Sequence, residues 1–257
     1  MVVSYNVDKK NSSTIKSVTE HLSEFVGWDV ICLQQYTASP QEISGPFFSV
    51  GSGAFPQTSV PTNLNPATTA VGATPADPPP EDHGNELAVF ANGGRFPCAI
   101  VLQHALSSCV RWHARSDFAT AVVLGLGDTP WLILSAYMPH GGHGQDMFDS
   151  CIADIDNLIS QASSRFKLAR TVIGCDANTR LKFHPDLENW IGPVCDGLHH
   201  DERTQSFLDL IMSHELRASN TFLAEDEVSW THMWYGDSSV KQIIDYVLVS
   251  GPCNTKA

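Results

Sequence analysis

The sequence predicts an α/β sandwich of four layers, in which two mixed β-sheets pack face to face and helices cover their outer sides. Three observations lead to this prediction. Many short apolar segments have strand signals, a few longer segments repeat apolar residues at helical spacing, and 42% of the 257 residues are hydrophobic. A chain of this length and composition can bury one large core. We therefore expect one domain over residues 1–257, whose sheets and helices bury each other's apolar faces.

The first third of the chain predicts a β-α-β unit followed by a surface insertion. Residues 2–7 have the pattern of a strand, and residues 12–27 repeat apolar side chains at helical spacing after a serine that can cap the helix. Residues 29–35 form the next strand. Residues 51–82 are rich in Pro, Thr, Ala, Ser and Gly without periodicity, so we expect a disordered or irregular insertion there.

Strand signals crowd together beyond the insertion. They cover residues 86–91, 98–103, 109–115, 118–126 and 131–138. Gly and Pro turns separate several of these segments, and "GLGDTP" reads as a hairpin turn, so much of this sheet is predicted to be an antiparallel meander.

The second half of the chain mixes helices with strands. Apolar residues recur at helical spacing over about 146–161 and 202–214. A buried strand is predicted at 171–176. Three short strands are predicted near the end of the chain, at 217–222, 228–234 and 242–250.

Charge and cysteine content limit the class of protein. The 15 basic and 28 acidic residues give a net charge of −13, which opposes generic attraction to nucleic-acid backbones or anionic membranes. The seven cysteines form no CxxC pair, as expected for reduced thiols of an intracellular protein in the cytoplasm or nucleus. Neither a signal peptide nor an apolar run of membrane-spanning length occurs in the sequence.

Polar side chains stand where the most apolar strands end. They are Asn6, Gln35, Tyr137, Asp176, Asn178, Asn220 and Asp245. One such residue usually just closes a turn. Several that converge on one edge of a sandwich make an oxygen-rich cleft, and such a cleft suits Mg²⁺ and a phosphate because hard cations prefer oxygen ligands.

Seven short motifs occur in an order and at a spacing that resemble those of the endonuclease/exonuclease/phosphatase superfamily. They are "SYN", "LQQ", "SAYMPH", "GCDANT", "SNTF", "SWTH" and "IIDYVLVS", and they span nearly the whole chain. The combination of "YMPH" with "SWTH…IIDYVLV" is most similar to the endonuclease domains of non-LTR retrotransposons. The resemblance implies the superfamily's sandwich fold, hydrolysis of a phosphoester with bound Mg²⁺ or Mn²⁺, and DNA as substrate and partner.

The resemblance also implies roles for individual residues. Asn6 would orient groups around the metal and the nucleophile, and Tyr137 would contact phosphate. Asp176 would position or deprotonate the attacking water, and Asn178 would steady the phosphoryl oxygens. Asp245 matches an aspartate that aligns a catalytic histidine.

Three further residues match positions that imply substrate binding. These are His140, Asn220 and Thr231. His140 stands where the family often has Asn. His140 and His143 also have the spacing of metal ligands, but loop histidines are more typically solvated.

Two departures from the family weaken the expected activity. Gln35 stands where the family has its metal-binding glutamate, and an amide keeps one carbonyl oxygen but loses the negative charge. A misread register, with Gln34 or a residue from another loop at this position, stays an alternative. With Gln35 at this position, the resemblance implies Gln35, as a weakened ligand, and Asn6 as the metal-binding residues. The family's final "SDHxP" strand has no counterpart after Asp245, so the C-terminal strand is expected to be incomplete.

Three functions remain open from the sequence. The first is a retrotransposon-type DNA endonuclease domain of impaired activity. If the chain is a fragment, a reverse transcriptase domain belongs to the same parent polyprotein. The second is a phosphodiesterase or phosphatase of this fold that acts on a small or lipid phosphate, which the acidic charge suits better. The third is a non-catalytic remnant of the fold.

Overall fold

A computed structural model of the chain describes residues 1–6, 29–35, 48–50, 87–92, 95–195, 201–222, 231–233 and 241–250. The predicted helix at 12–27, the predicted insertion at 51–82 and the chain beyond Ser250 lie outside these ranges.

The first sheet contains five strands among the described residues. They are β1 (Val2–Asn6), β2 (Val30–Gln34), β3 (Phe48–Val50), β4 (Leu87–Ala91) and β5 (Cys98–Gln103). Their order across the sheet is β1-β2-β5-β4-β3. β1 runs parallel to β2 and β3 parallel to β4, whereas β5 is antiparallel to both of its neighbours, so the sheet is mixed.

The second sheet contains six strands within the same part of the chain. They are β6 (Val110–Arg115), β7 (Ala119–Leu126), β8 (Thr129–Tyr137), β9 (Arg170–Asp176), β10 (Leu216–Ala218) and β13 (Asp245–Ser250). Their order is β10-β13-β9-β8-β7-β6, and only β8 and β9 pair in parallel. A separate two-stranded pair joins β11 (His232–Met233) to β12 (Lys241–Gln242).

Two long helices cover the outer face of the second sheet, and a short helix lies beside the first. The short helix α1 (His104–Ser107) contacts β4 and β5, whereas α2 (Gln145–Arg165) and α3 (Glu202–Ser213) pack on the second sheet. Two 3₁₀ turns lie at Pro185–Leu187 and Ser219–Phe222. α2 and α3 begin where the helical spacing predicts, and α2 continues four residues further. Among the helices that the structure describes, none combines the length and hydropathy of a membrane span.

Two apolar layers separate these elements. Side chains such as Ile100 and Leu102 of β5 meet Val122 and Ile133 of the second sheet in the space between the sheets. On the other side, Phe148 and other apolar residues of α2 and α3 pack against strands β7, β8 and β9. The prediction of two mixed sheets packed face to face, with helices outside, is confirmed. No disulfide joins the cysteines in the described ranges.

Local predictions hold best where one strand follows another directly. β6, β7 and β8 form the predicted antiparallel meander. The predicted hairpin turn joins β7 to β8 through Gly127 and Asp128, and Gly127 has a φ of 63°, a left-handed conformation that glycine adopts without strain.

Two predicted strands near the end of the chain are wrong in their extent. The predicted strand 217–222 stops at Ala218 and turns into a 3₁₀ helix, because the Thr221 hydroxyl donates to the Ala218 carbonyl at 2.6 Å. The predicted strand 242–250 is broken at residues 243–244. There the Tyr246 hydroxyl donates to the Ile243 carbonyl at 2.9 Å, which holds the chain out of the ladder.

The two sheets are in tight contact where β9 packs against β1 and β2. A Cβ atom added to Gly174 would lie 2.6 Å from the Cys32 Cβ and 2.8 Å from the Ser4 Oγ. Neither neighbour is the end of a long flexible side chain, so both strands would have to move. Glycine at this position therefore sets the spacing of the sheets.

We expect Gly174→Ala to lower the free energy of unfolding by about 1–3 kcal/mol, because overpacking forces the backbone to shift. Urea unfolding followed by circular dichroism measures this change. The matched control is Gly141→Ala, whose added methyl meets nothing within 4 Å, so its effect should stay within about 1 kcal/mol of zero. Equal stability of the two variants would show that the sheets are not in tight contact at Gly174.

Candidate functional site

Three of the predicted site residues lie on neighbouring strands at one edge of the second sheet. β8 ends at Tyr137, β9 ends at Asp176 and β13 begins at Asp245. Tyr137 is the register partner of Asp176 in the parallel pair, and Asp176 is the register partner of Asp245 in the antiparallel pair. Directly paired residues share a face of a sheet. The structure therefore brings a phenol and two carboxylates together in one row.

Asn178 joins this row through the turn that follows β9. Its φ of 48° is left-handed, a conformation that asparagine tolerates better than most residues. Its backbone N–H donates to the Asp176 Oδ1 at 3.1 Å, and its side-chain amide donates to the Met138 carbonyl at 2.9 Å. These bonds fix both the aspartate and the backbone just beyond Tyr137.

Gln35 reaches the same row from the other sheet. It follows the last residue of β2 with a left-handed φ of 58°, and its Nε2 donates to the Asp176 Oδ2 at 3.4 Å. The structure therefore brings Gln35, and not Gln34, to the carboxylates. The sequence alternative in which Gln34 occupies this position is wrong, because Gln34 is fully buried between the sheets.

The role of Gln34 was not predicted from the sequence. Its Nε2 lies 3.1 Å from the Gly174 carbonyl and 3.3 Å from the Ser135 Oγ, both in the second sheet. Its Oε1 accepts a bond from the Ser4 hydroxyl at 3.3 Å, and the Ser135 hydroxyl donates to the Leu33 carbonyl at 3.0 Å. This network joins the sheets directly beneath the site. A signal was present, since Ser4, Gln34 and Ser135 are lone polar residues inside apolar strands.

Asn220 and Thr231 lie beside Asp245, and both side chains hold its backbone. The Asn220 amide donates to the Asp245 carbonyl at 3.0 Å and accepts from the Val247 N–H at 3.0 Å. The Thr231 hydroxyl accepts from the N–H groups of Ile244 and Asp245 at 3.0 and 3.1 Å. The structure thus places two of the three predicted substrate-binding residues next to the row, where they position a strand end.

His140, the third predicted substrate-binding residue, lies on an exposed loop that follows β8. Its Nδ1 accepts from the Gly142 N–H at 3.0 Å, and its ring lies 4.4 Å from that of His143. Arg203 of α3 anchors the loop by donating to the carbonyls of Pro139, at 2.9 Å, and His143. Sequence analysis missed this role of Arg203, since nothing in the motif order links α3 to the loop.

Asn6 lies at the equivalent end of the first sheet. It is the last residue of β1 and the register partner of Gln34. Its backbone is therefore at the end of the sheet from which Gln35 reaches the row. Its side chain lies outside the described part of the structure.

Burial and charge set the protonation of the row. Asp176 is only 1% exposed. Burial, and after it the nearby Asp176, raises the pKa of Tyr137 to about 12, so the phenol keeps its proton at neutral pH. Burial also raises the pKa of Cys175, and the charges of Asp245 and Asp176 add to this effect. The thiol next to the row therefore stays neutral.

The oxygen atoms of the row suit a hard divalent cation, but only two of the side chains that supply them are negatively charged. Asp176 and Asp245 supply carboxylates. Gln35 donates through its nitrogen, which leaves its carbonyl oxygen for a cation. Within the described ranges, no group of three or more His, Cys, Asp or Glu side chains assembles a metal site. A cation bound here would have two acidic neighbours at most from these residues, which predicts weak binding.

Comparison with known proteins gives likenesses of structure and none of sequence. No protein-family model matches the chain, and no curated protein matches it. One similar structure is the endonuclease domain of TRAS1, a telomere-specific non-LTR retrotransposon. It is 12% identical, with a TM-score of 0.55 over 97% of this chain and 84% of that chain.

Two other solved structures have the same degree of likeness. One is the 3′ phosphatase NExo from Neisseria, bound to a product DNA hairpin. It is 12% identical, with a TM-score of 0.56 over 96% of this chain and 86% of that chain. Truncated TDP2 from Caenorhabditis elegans is also 12% identical, with a TM-score of 0.51 over 97% and 84% of the two chains. The chain therefore has the fold of the endonuclease/exonuclease/phosphatase superfamily.

Proposed function

We propose that the chain hydrolyses a phosphodiester with the help of a bound Mg²⁺ or Mn²⁺, and that DNA is its substrate. One observation carries the proposal: Tyr137, Asp176 and Asp245 stand in register at a sheet edge, and Gln35 of the opposite sheet bonds to the central aspartate. The similar structures include an endonuclease domain and a 3′ phosphatase bound to product DNA, which supports chemistry on a phosphoester.

The finer form of the proposal is an endonuclease domain of retrotransposon type. If the chain is a fragment, its parent polyprotein also holds a reverse transcriptase domain. Its support is the order of the seven sequence motifs, above all "YMPH" followed by "SWTH" and "IIDYVLVS".

Asp176 is the proposed general base. Its two oxygens accept bonds from Gln35 and from the Asn178 backbone, and these bonds fix the carboxylate in one orientation. A carboxylate held in this way is a suitable acceptor for the proton of an attacking water. Asn178 steadies the turn so that the aspartate and the backbone after Tyr137 keep their relative positions.

Tyr137 is the proposed hydrogen-bond donor to a phosphoryl oxygen. A phenol whose pKa is raised to about 12 donates at neutral pH and carries no charge to repel the phosphate. Asp245 and the Gln35 carbonyl oxygen, with Asn6 at the end of β1, would hold the cation beside Asp176. When bound, the cation neutralises charge on the phosphoryl group and orients it for in-line attack.

A second candidate function is hydrolysis of a small or lipid phosphate ester. The observation that favours it is the net charge of −13, which repels an extended DNA backbone more than it repels a single phosphate group. Both functions use the same residues. They differ in how substrate affinity depends on salt concentration. The affinity for DNA should fall steeply as the salt concentration rises, whereas the affinity for a single phosphate group should fall less.

We expect Gln35→Glu to tighten Mg²⁺ binding roughly tenfold, because a carboxylate restores the charge that favours a hard cation. Isothermal titration calorimetry measures the affinity. The control is Gln103→Glu. Gln103 is exposed and lies at the far end of β5, since Cys98 at the other end is the residue that pairs with Gln34. If both variants bind Mg²⁺ as the unaltered chain does, Gln35 is not a metal ligand.

Asp176→Asn should lower phosphodiester cleavage about 100-fold, because the amide cannot accept the proton of the attacking water. Nicking of supercoiled plasmid with Mg²⁺ or Mn²⁺ measures this, both in the unaltered chain and in the Gln35→Glu background. Asp128→Asn makes the same charge change in an exposed hairpin turn and should leave nicking intact. Absence of metal-dependent cleavage in both backgrounds would contradict the endonuclease proposal and support the non-catalytic alternative.

Tyr137 should titrate at about pH 12 in the folded protein. The ordinary tyrosine pKa is about 10, so the stability linked to this phenol is fully present below about pH 10 and is lost as pH rises through the folded pKa. The difference in tyrosinate absorbance between the unaltered chain and Tyr137→Phe measures the midpoint, with denatured protein as the control. A native midpoint equal to the denatured one would show that Tyr137 is neither buried nor close to Asp176.

A further inference from the structure

A cavity of about 460 Å³ opens next to the candidate site. Phe96, Phe118 and Met147 line it, and Arg95, Asp117 and Asp146 are charged residues along its wall. Its volume is in the range of sites that hold small ligands. No predicted site residue lines this cavity, and the proposed chemistry does not use it.

The aromatic side of the cavity touches the candidate site directly. Phe96 and Phe118 stack with their centroids 4.9 Å apart and an interplanar angle of 24°. Phe96 also meets the Tyr137 ring edge-on at 5.8 Å, and the Tyr137 N–H donates to the Phe118 carbonyl at 3.0 Å. A ligand group in the cavity would therefore lie one aromatic ring away from the phenol that we propose contacts phosphate.

The charged residues of the cavity wall include both a hydrogen-bond donor and hydrogen-bond acceptors. The Arg95 guanidinium lies over the Phe96 ring at 5.7 Å from its centroid, and it makes no ion pair or hydrogen bond with the residues that the structure describes. The carboxylates of Asp117 and Asp146 likewise accept no side-chain or backbone bond within those ranges. All three residues are exposed. The cavity thus combines an aromatic surface with one cationic donor and two anionic acceptors.

We propose that this cavity is a subsite for a nucleobase next to the scissile phosphate, and that guanine fits it best. A flat base can pack against the half-buried Phe118 ring and the Met147 thioether, behind which Phe96 is buried. Arginine pairs with the O6 and N7 acceptors of guanine, and a carboxylate accepts from its amino group. The inference rests on the proposed function, since it names the substrate group that adjoins the phosphate held by Tyr137.

Because the chain has a large negative charge, contacts with a base would add to its affinity for a nucleotide. At −13 the protein has little general attraction for a phosphate backbone. Stacking and base-edge bonds do not depend on that attraction, so they can supply affinity that the surface charge withholds.

The test compares ligands with and without a base on the full chain in Mg²⁺, by isothermal titration calorimetry. Guanosine 5′-monophosphate should bind roughly tenfold more tightly than ribose 5-phosphate, a gain that needs both stacking on Phe118 and the contact of Arg95 with the base edge. Arg95→Gln and Phe118→Ala should each abolish that difference. Arg115→Gln removes the same charge from an exposed strand residue outside the cavity and should retain it.

Three outcomes would overturn the inference. One is equal binding of guanosine 5′-monophosphate and ribose 5-phosphate to the unaltered chain. Another is an Arg115→Gln variant that loses the difference as fully as Arg95→Gln does. Adenosine 5′-monophosphate bound as tightly as guanosine 5′-monophosphate would overturn the assignment of guanine. If Phe118→Ala fails to fold, the surface variant Arg95→Gln still decides the question.

Failure of this inference can be told apart from failure of the proposed function. Base-dependent binding without metal-dependent cleavage would remove the hydrolytic function and leave the subsite. Metal-dependent cleavage with base-independent binding would remove the subsite and leave the function.

Discussion

Where β9 packs against β1 and β2, the Gly174 backbone lies against Cys32 and Ser4, and the Gln34 side chain fills the adjoining space with bonds to both sheets. A buried amide is costly unless its atoms find partners, and here both ends of the amide have them. Any other sliding of one sheet along the other would leave that amide unpaired. The contact therefore selects one alignment of the two sheets.

The alignment of the two sheets determines which residue of the first sheet reaches the candidate site. Gln35 follows Gln34 directly, so the alignment that satisfies the buried glutamine also places Gln35 against Asp176. The two carboxylates and the phenol need no such help, because the strand ladders already bring them into register. The catalytic chemistry that we propose thus depends on two kinds of contact. Backbone pairing builds the row within the second sheet, and the buried polar network brings Gln35 of the first sheet to it.

The electrostatics of the row favour a weakly held cation and a precisely placed phosphate group. A neutral amide bonds to Asp176, and Asp245 supplies the only other carboxylate of the row, which gives less negative charge than a three-carboxylate site would have. The same packing that raises the pKa of Tyr137 keeps it an uncharged donor, and the ring of Phe96 connects it to the neighbouring cavity. The proposed phosphate and base positions therefore share one aromatic cluster, so a change in one is expected to affect the other.

The sequence by itself determined the strands, the helices α2 and α3, and the polar residues that end the strands, because these follow from local periodicity and from turn-forming side chains. It also determined the fold, since the spacing of the motifs reflects the order of the strands. Only the tertiary structure decided which glutamine faces the carboxylates, because successive strand residues point to opposite sides and the packing of the sheets chooses between them. It alone showed that Asn220 and Thr231 bond to the backbone around Asp245, since those partners are 13 to 27 residues away in sequence and no local pattern records them.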